Sequence, residues 1–372
     1  MVDVNIPDDI LQNILSRLPG KPLLRFRCVS KHWNRLISDP YFMKSRSRRM
    51  IMLKYPSPLA VIDTNVPVDD KAHSMVQVPS FLEYTNVSIV GTFSGIVILV
   101  FVDMLLVSKM VMYNPLTRVS KTLVVMDPPS SIYKTPYKFG FDTDDLKIVR
   151  FLICDHPPRP MYKCDVFDLK TSSWSKSPQY LKWDFFFWGD GGVFFNGCLY
   201  WVISLLNMGI LALNVKDMEF SNITLPHGFD TRTIIDRKEI NDYGGILVGS
   251  LNGCLCLITK SDTITFDVWV MKKQGIENLW SKMFSFKFHL EGNRFVEFHP
   301  MHILGDGKIL LTNGSNQLLI YDTLNDSYKM LDDLVSLDDY EEREMPYYRY
   351  RIRPVEYVES WVSPLDVCYV GI

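Results

Sequence analysis

A chain of 372 residues with 47% hydrophobic and 22% charged residues and a formal net charge of −2 has an ordinary globular composition. It excludes a disordered polymer, a collagen and a disulfide-stapled miniprotein. The near-neutral total hides an asymmetry: residues 1–50 hold ten Lys/Arg against four Asp, a net +6, so the remainder sums to −8, which suggests two modules with different partners. Pro7 suits the first turn of a helix, where its missing N–H is no loss, and Asp8 and Asp9 then stand at the positive end of the helix dipole. Ile10, Leu11, Ile14, Leu15 and Leu18 follow at three- and four-residue spacing and make a broad apolar stripe. Pro19-Gly20 ends that helix. Pro22 opens a second through Leu23, Leu24, Phe26 and Cys28, and Ser30 N-caps a third carrying Trp33, Leu36 and Ile37 until Asp39-Pro40 stops it. Three short helices cover little apolar surface by themselves, so this segment either packs on the rest of the chain or docks on another protein.

The run from Ile6 to Pro19, followed by Leu23 to Ile37, resembles a plant F-box over about forty residues, with Ile6 where the family usually has Leu and Gly20 where Ala or Val is common. The resemblance implies docking to the Skp-type adaptor of a cullin-based ubiquitin ligase. Carried over by position, the adaptor-facing residues are Pro7, Ile10, Leu11, Ile14, Leu15, Leu18, Leu23, Leu24, Cys28, Val29 and Trp33. The adaptor family is acidic, which suits a basic module and makes nucleic acid a poor explanation for the charge.

Beyond residue 50, short β-branched and aromatic runs are broken by Asn, Asp, Gly and Pro, the pattern of an all-β domain. A unit recurs in which a hydrophobic residue precedes Asp or Asn and an aromatic follows six residues later: Phe167-Asp168 with Trp174, Leu213-Asn214 with Phe220, and Tyr321-Asp322 with Tyr328. Tyr113-Asn114 repeats it without the aromatic, and Ile62-Asp63 more faintly. The anchors at 63, 114, 168, 214 and 322 lie 51, 54, 46 and 108 apart, so one copy is missing near residue 268, at Phe266–Lys272, with Trp280 displaced. Six units of about fifty residues describe a kelch-like β-propeller of about six blades. In each unit the Asp or Asn is expected to close a turn with its side chain, and the aromatic to fill the gap between blades. Asn196-Gly197 and Asn252-Gly253 lie between strand-like runs and signal hairpins. Phe93–Val97, Tyr113–Arg118, Asn196–Trp201 and Asp267–Lys272 are similar, in order, to plant F-box proteins with an F-box-associated or kelch-repeat domain. The expected fold is therefore mainly β, with an F-box at residues 1–48 and the β-propeller at residues 49–372. Strand-like Tyr357–Tyr369 is expected to pair with the first blade.

No enzyme motif is visible, neither a phosphate-binding Gly loop, nor His-Glu-x-x-His, nor Gly-x-Ser-x-Gly, and His299 and His302 form the one close His pair. Seven Cys at irregular spacing read as free thiols, and neither metal nor cofactor is expected. No basic start followed by an apolar run opens the chain, and the most apolar stretch, 89–102, is 14 residues, short of the about 20 that a membrane helix needs. These features point to cytoplasm and/or nucleus, with no membrane contact. The oddest segment, Lys182–Gly192, concentrates Trp183, Phe185, Phe186, Phe187 and Trp188, which read either as a core strand or as an aromatic patch that binds a substrate. Asp332–Glu344 carries seven acids and one Arg, the mark of a solvated loop. The resemblance implies a substrate-recognition subunit of a Skp–cullin–F-box ligase acting on an unidentified protein. The alternatives are a ligase-independent interaction module and a glycan-binding propeller.

Overall fold

The computed structural model describes residues 6–46, 48–53, 60–63, 87–103, 106–124, 138–154, 161–181, 185–204, 208–226, 246–251, 253–262, 264–271, 280–288, 298–303, 307–313, 318–330 and 355–367. The expected acidic run 332–344, Trp183 and Asn252 lie outside them. The fold is mainly β, with helices confined to the N-terminal segment.

Four helices come first, α1 (Asp8–Ser16), α2 (Gly20–Phe26), α3 (Lys31–Ser38) and α4 (Pro40–Arg46). Ser30 caps α3 as expected, its Oγ accepting from the Trp33 amide at 3.1 Å. Two expectations need correction. The second helix starts at Gly20 rather than Pro22, and Asp39-Pro40 is a start as well as a stop. Pro40 supplies a helical φ at a position that needs no N–H, and Asp39 Oδ1 accepts from the Tyr41 amide at 2.8 Å.

The strands follow. They are β1 (Arg49–Leu53), β2 (Ala60–Asp63), β3 (Val87–Phe93), β4 (Ile96–Asp103), β5 (Leu106–Tyr113), β6 (Ser120–Val124), β7 (Lys138–Asp142), β8 (Lys147–Cys154), β9 (Met161–Asp168), β10 (Ser173–Leu181), β11 (Phe186–Phe195) and β12 (Cys198–Ser204). Next come β13 (Met208–Asn214), β14 (Glu219–Ile223), β15 (Ile246–Leu251), β16 (Cys254–Lys260), β17 (Thr265–Met271), β18 (Trp280–Lys287), β19 (Phe298–Ile303), β20 (Ile309–Asn313), β21 (Leu318–Asp322), β22 (Ser327–Met330) and β23 (Val355–Val358). Among the described residues, consecutive strands β3–β6, β15–β18 and β19–β22 each make a four-stranded antiparallel meander, and so do β7–β10 and β11–β14, which join through one parallel bridge, Gly191 to Phe139. As expected, the C-terminal strand joins the first repeat unit, the one that ends at Asp63: β23 flanks β1 in a three-stranded sheet of order β2-β1-β23, with Tyr357 opposite Met50. The strand is Val355–Val358, so only the start of the expected run Tyr357–Tyr369 is paired.

The turns repeat because their chemistry repeats. In the β3–β6 and β11–β14 meanders the first hairpin is a two-residue loop whose residues both take positive φ, Ser94-Gly95 (φ 45° and 77°) and Asn196-Gly197 (φ 47° and 76°), the geometry that matches strand twist. The last hairpin uses the expected anchor. Asp168, Asn214 and Asp322 each accept, through Oδ1, the amides two and three residues on at 2.7–3.3 Å. The residue four after each anchor, Ser172, Met218 and Asp326, is left-handed. An anchor then pairs with the residue five later, so the aromatic six later faces the hydrophobe before the anchor: Trp174 opposite Phe167, Phe220 opposite Leu213, and Tyr328 opposite Tyr321. The aromatic is thus first a cross-strand partner in its own sheet. Tyr328 also reaches Phe288 at 4.9 Å, just after β18. The copy expected at Phe266–Lys272 is present as the pair β17–β18, but Asp267 sits in mid-strand opposite Ser285, where Lys282 Nζ holds it at 2.8 Å. In this unit the Asx turn is at Asp262, between β16 and β17.

The chain divides into two compact units, one of Met1–Phe101, Lys109–Met126 and Val355–Ile372, the other of Val102–Ser108 and Asp127–Pro354. The first holds the helices, the β3–β6 meander and the three-stranded sheet, whose facing core includes Met52, Val61, Leu99, Phe101, Tyr113 and Tyr357. In the second, Phe151, Tyr162, Leu199, Trp201 and Leu211 belong to one shared core of β7–β14. Gly140 and Gly192 allow Trp201 to lie flush on the backbone, since a Cβ at Gly140 would fall 2.7 Å from Trp201 Cζ2.

Candidate functional site

The helical stripe read from the sequence is divided between two surroundings. Leu11 and Leu15, four residues apart on α1, turn inward and join Leu23, Leu36, Ile37, Phe42 and Met43 in one buried cluster. Ile10 and Ile14, one position away on the helix wheel, are half exposed at 50% and 49%, and Ile6 and Pro7 continue that outer row. Val29, 60% exposed, and exposed Cys28 follow α2. The starts of α1 and α3 lie together, with His32 Nε2 2.9 Å from Asp8 Oδ1. Of the eleven residues named from sequence, Leu11, Leu15 and Leu23 are therefore packed inside the chain. Leu18, Leu24 and Trp33 are half-buried, and Pro7, Ile10, Ile14, Cys28 and Val29 are open to solvent. Trp33 stands edge-on to Phe26 at 5.5 Å and sets α2 against α3.

The inner row has a partner that sequence reasoning missed. Leu116, from the β5–β6 turn, is the eighth member of the helical cluster. It is placed there by Asn114, which is fully buried. Asn114 Oδ1 accepts the Leu116 and Thr117 amides at 2.9 and 3.1 Å, and its Nδ2 donates to the Ser360 and Val362 carbonyls at 3.0 and 2.8 Å. The segment after β23 completes the junction. Trp361 Nε1 donates to the Ile37 carbonyl at 2.9 Å, and the Arg27 guanidinium lies 5.3 Å from the Trp361 ring centre. Arg46 donates to the Ser16 and Leu18 carbonyls at the end of α1, where a cation complements the dipole, and meets Glu359 at 2.9 Å. Arg48 reaches the Arg17 carbonyl at 3.4 Å, and Arg49 pairs with Glu356 at 2.8 Å. Part of the basic excess thus holds the helices to their own chain. Gly20 also gains a reason here, because a Cβ at that position would meet Leu116 Cδ1 and fall 2.7 Å from Glu359 Oε1.

Two residues of the aromatic segment, Phe185 and Phe187, go into the core. Phe185, 1% exposed, stacks on Tyr162 at 5.0 Å with planes 7° apart, and its carbonyl accepts from Tyr162 Oη at 2.6 Å. Phe187 packs on Phe151 at 4.8 Å and edge-on to Tyr162 at 5.1 Å. Phe185 therefore offers no surface to a substrate. Phe186 and Trp188 stand in β11, opposite Ser204 and Val202. His299 and His302 both fall on β19, and among the described residues no group of three or more His, Cys, Asp or Glu is placed to hold a metal.

The chain is similar to known proteins over nearly all of its length. The profile of the F-box domain matches residues 4–45, and that of the F-box associated beta propeller domain matches residues 49–363. Among curated proteins of Arabidopsis thaliana, F-box protein CPR1 is 28% identical over 363 residues, covering 85% of this chain and 81% of that protein. F-box protein At4g22390 is 27% identical, covering 75% and 73%. F-box/kelch-repeat protein At3g23880 is 25% identical, covering 86% and 88%.

Proposed function

We propose that this chain, which belongs to the F-box associated beta propeller family, is the substrate-receptor subunit of a Skp–cullin–F-box ubiquitin ligase. The observation that carries this reading is the divided helical stripe. The inner row of α1 is used up on the chain's own core, while Ile6, Pro7, Ile10 and Ile14 on the outer row, and Cys28 and Val29 after α2, are left exposed among the described residues. Exposed apolar residues of this kind, on a segment that also exposes Arg17, Lys21, Arg25 and Lys31 against Asp8 and Asp9, suit an acidic adaptor. The β domain then holds a protein target. The chain performs no chemistry itself; tethering raises the effective concentration of target lysines near the charged ubiquitin-conjugating enzyme. Such a receptor works in the cytoplasm or nucleus.

The test is co-purification with a Skp-type adaptor. Substituting Ile10→Asp together with Ile14→Asp is expected to abolish capture while leaving the melting temperature within a few degrees. Equal capture by this variant and wild type overturns the adaptor surface. Leu23→Asp is unsuitable for the purpose, because Leu23 is fully buried and its loss would unfold the helices.

A further inference from the structure

We propose that residues 355–367 are a latch that holds the adaptor-facing helices in place, so that adaptor affinity depends on them. The proposal rests on the adaptor reading above and adds a requirement to it. The helical segment does not finish its own core. Leu116 enters the cluster from the β5–β6 turn, and that turn is tied through Asn114 to the carbonyls of Ser360 and Val362. The Ile37 carbonyl at the end of α3 receives its donor from Trp361, 324 residues away in sequence. The most demanding contact is electrostatic. The Arg46 side chain is 1% exposed and stands 2.9 Å from the carboxylate of Glu359. A chain that stops before residue 355 leaves Arg46 as a buried cation without this carboxylate, Asn114 without its two acceptors, and the helices without Trp361. Each of these is a buried polar or packing defect, and the charge is the costliest. The defects at Arg46 and Ile37 fall on the helices themselves, and the one at Asn114 falls on the turn that carries Leu116 into their core. Without residues 355–367 the helices are therefore less stable in the arrangement that presents the outer row, and adaptor binding is weakened in proportion.

The test uses the full chain carrying Glu359→Gln or Trp361→Ala. Two quantities are read on each protein: hydrogen-exchange protection segment by segment, and affinity for the purified Skp-type adaptor. For Glu359→Gln the protection of residues 8–46 is expected to fall by about a hundredfold, with β7–β22 unchanged and adaptor affinity reduced at least about tenfold through that linkage. Unchanged protection of the helices overturns the latch. So does a loss spread equally over β7–β22, which would make the segment a support for the whole chain. So does lost helical protection with adaptor affinity intact. If wild type does not bind the adaptor at all, the adaptor reading fails, while the exchange measurement still decides whether the C-terminal segment holds the helices.

Discussion

Arg46, the last residue of α4, and Glu359, the first residue after β23, meet at 2.9 Å with side chains 1% and 8% exposed. A buried pair is costly to break from one side and cheaper to replace as a whole, because a lone charge keeps its desolvation cost without its partner. Glu359→Ala is therefore expected to destabilise the first unit by about 3–5 kcal/mol. The double change Arg46→Met with Glu359→Leu is expected to lose only about 1–2 kcal/mol, the residual coming from the Ser16 and Leu18 carbonyls that Arg46 no longer satisfies. Chemical denaturation of the four proteins in a mutant cycle measures the difference.

Two glycines of the same turn type should behave differently. Gly95 and Gly197 have φ of 77° and 76°, so any side chain is strained at both. A Cβ at Gly197 meets open space, whereas at Gly95 it falls 2.7 Å from the backbone nitrogen of Ser360. Gly197→Ala is expected to cost about 1–2 kcal/mol. Gly95→Ala adds an overpacking cost of about 1–3 kcal/mol, since a backbone atom yields less readily than a side-chain end. Thermal melts of the two variants suffice to compare them.

Thiol labelling should divide the cysteines by environment. Cys28 and Cys254 are exposed, while Cys164, Cys198 and Cys256 are buried. Burial pushes the Cys164 and Cys256 thiols up to about 12, which removes the reactive thiolate at neutral pH. A maleimide pulse on the native protein is expected to label Cys28 and Cys254 within minutes and Cys164 and Cys256 only after denaturant is added. Peptide mass analysis reads the pattern, and adaptor bound over Cys28 should slow its labelling selectively.

The alkaline limb of stability should carry the signature of Tyr162. Burial raises its hydroxyl from the ordinary 10.0 to about 12, and the neutral form donates to the Phe185 carbonyl. Because the folded pKa lies above the unfolded one, the contribution is fully present below pH 10 and is lost as pH rises toward 12. Tyr162→Phe is expected to be less stable than wild type by about 1 kcal/mol at pH 8, with the gap narrowing and closing as the pH approaches 12. A gap that stays constant over that range would show that Tyr162 does not ionise on unfolding.

Local chemistry made much of the β domain legible. Asp168, Asn214 and Asp322 close their turns with their own side chains, and Asn-Gly sets both positive φ angles of a two-residue hairpin, so short windows of sequence carry the information. The same logic misplaced Asp267, because a strand carboxylate held by Lys282 and a turn carboxylate such as Asp262 look alike in one dimension. It also read Asp39-Pro40 as an end alone, though the pair can cap and open a helix.

What the sequence determined by itself was the kind of each element and the spacing of the repeat: helices from the 3.6-residue apolar period, hairpins from turn residues, and an apolar N-terminal segment larger than its own helices could cover. Which half of that surface is covered was decided only in three dimensions. Leu11 and Ile10 are equivalent by periodicity and hydrophobicity, yet one is sealed in the core and the other is half exposed. Leu11 faces the other helices and Leu116, while Glu359 and Trp361 tie Arg46 and Ile37 of the same helices to distant parts of the chain. No local pattern encodes contacts at such separation, because they exist only once β23 has paired with β1 and brought the end of the chain to its beginning.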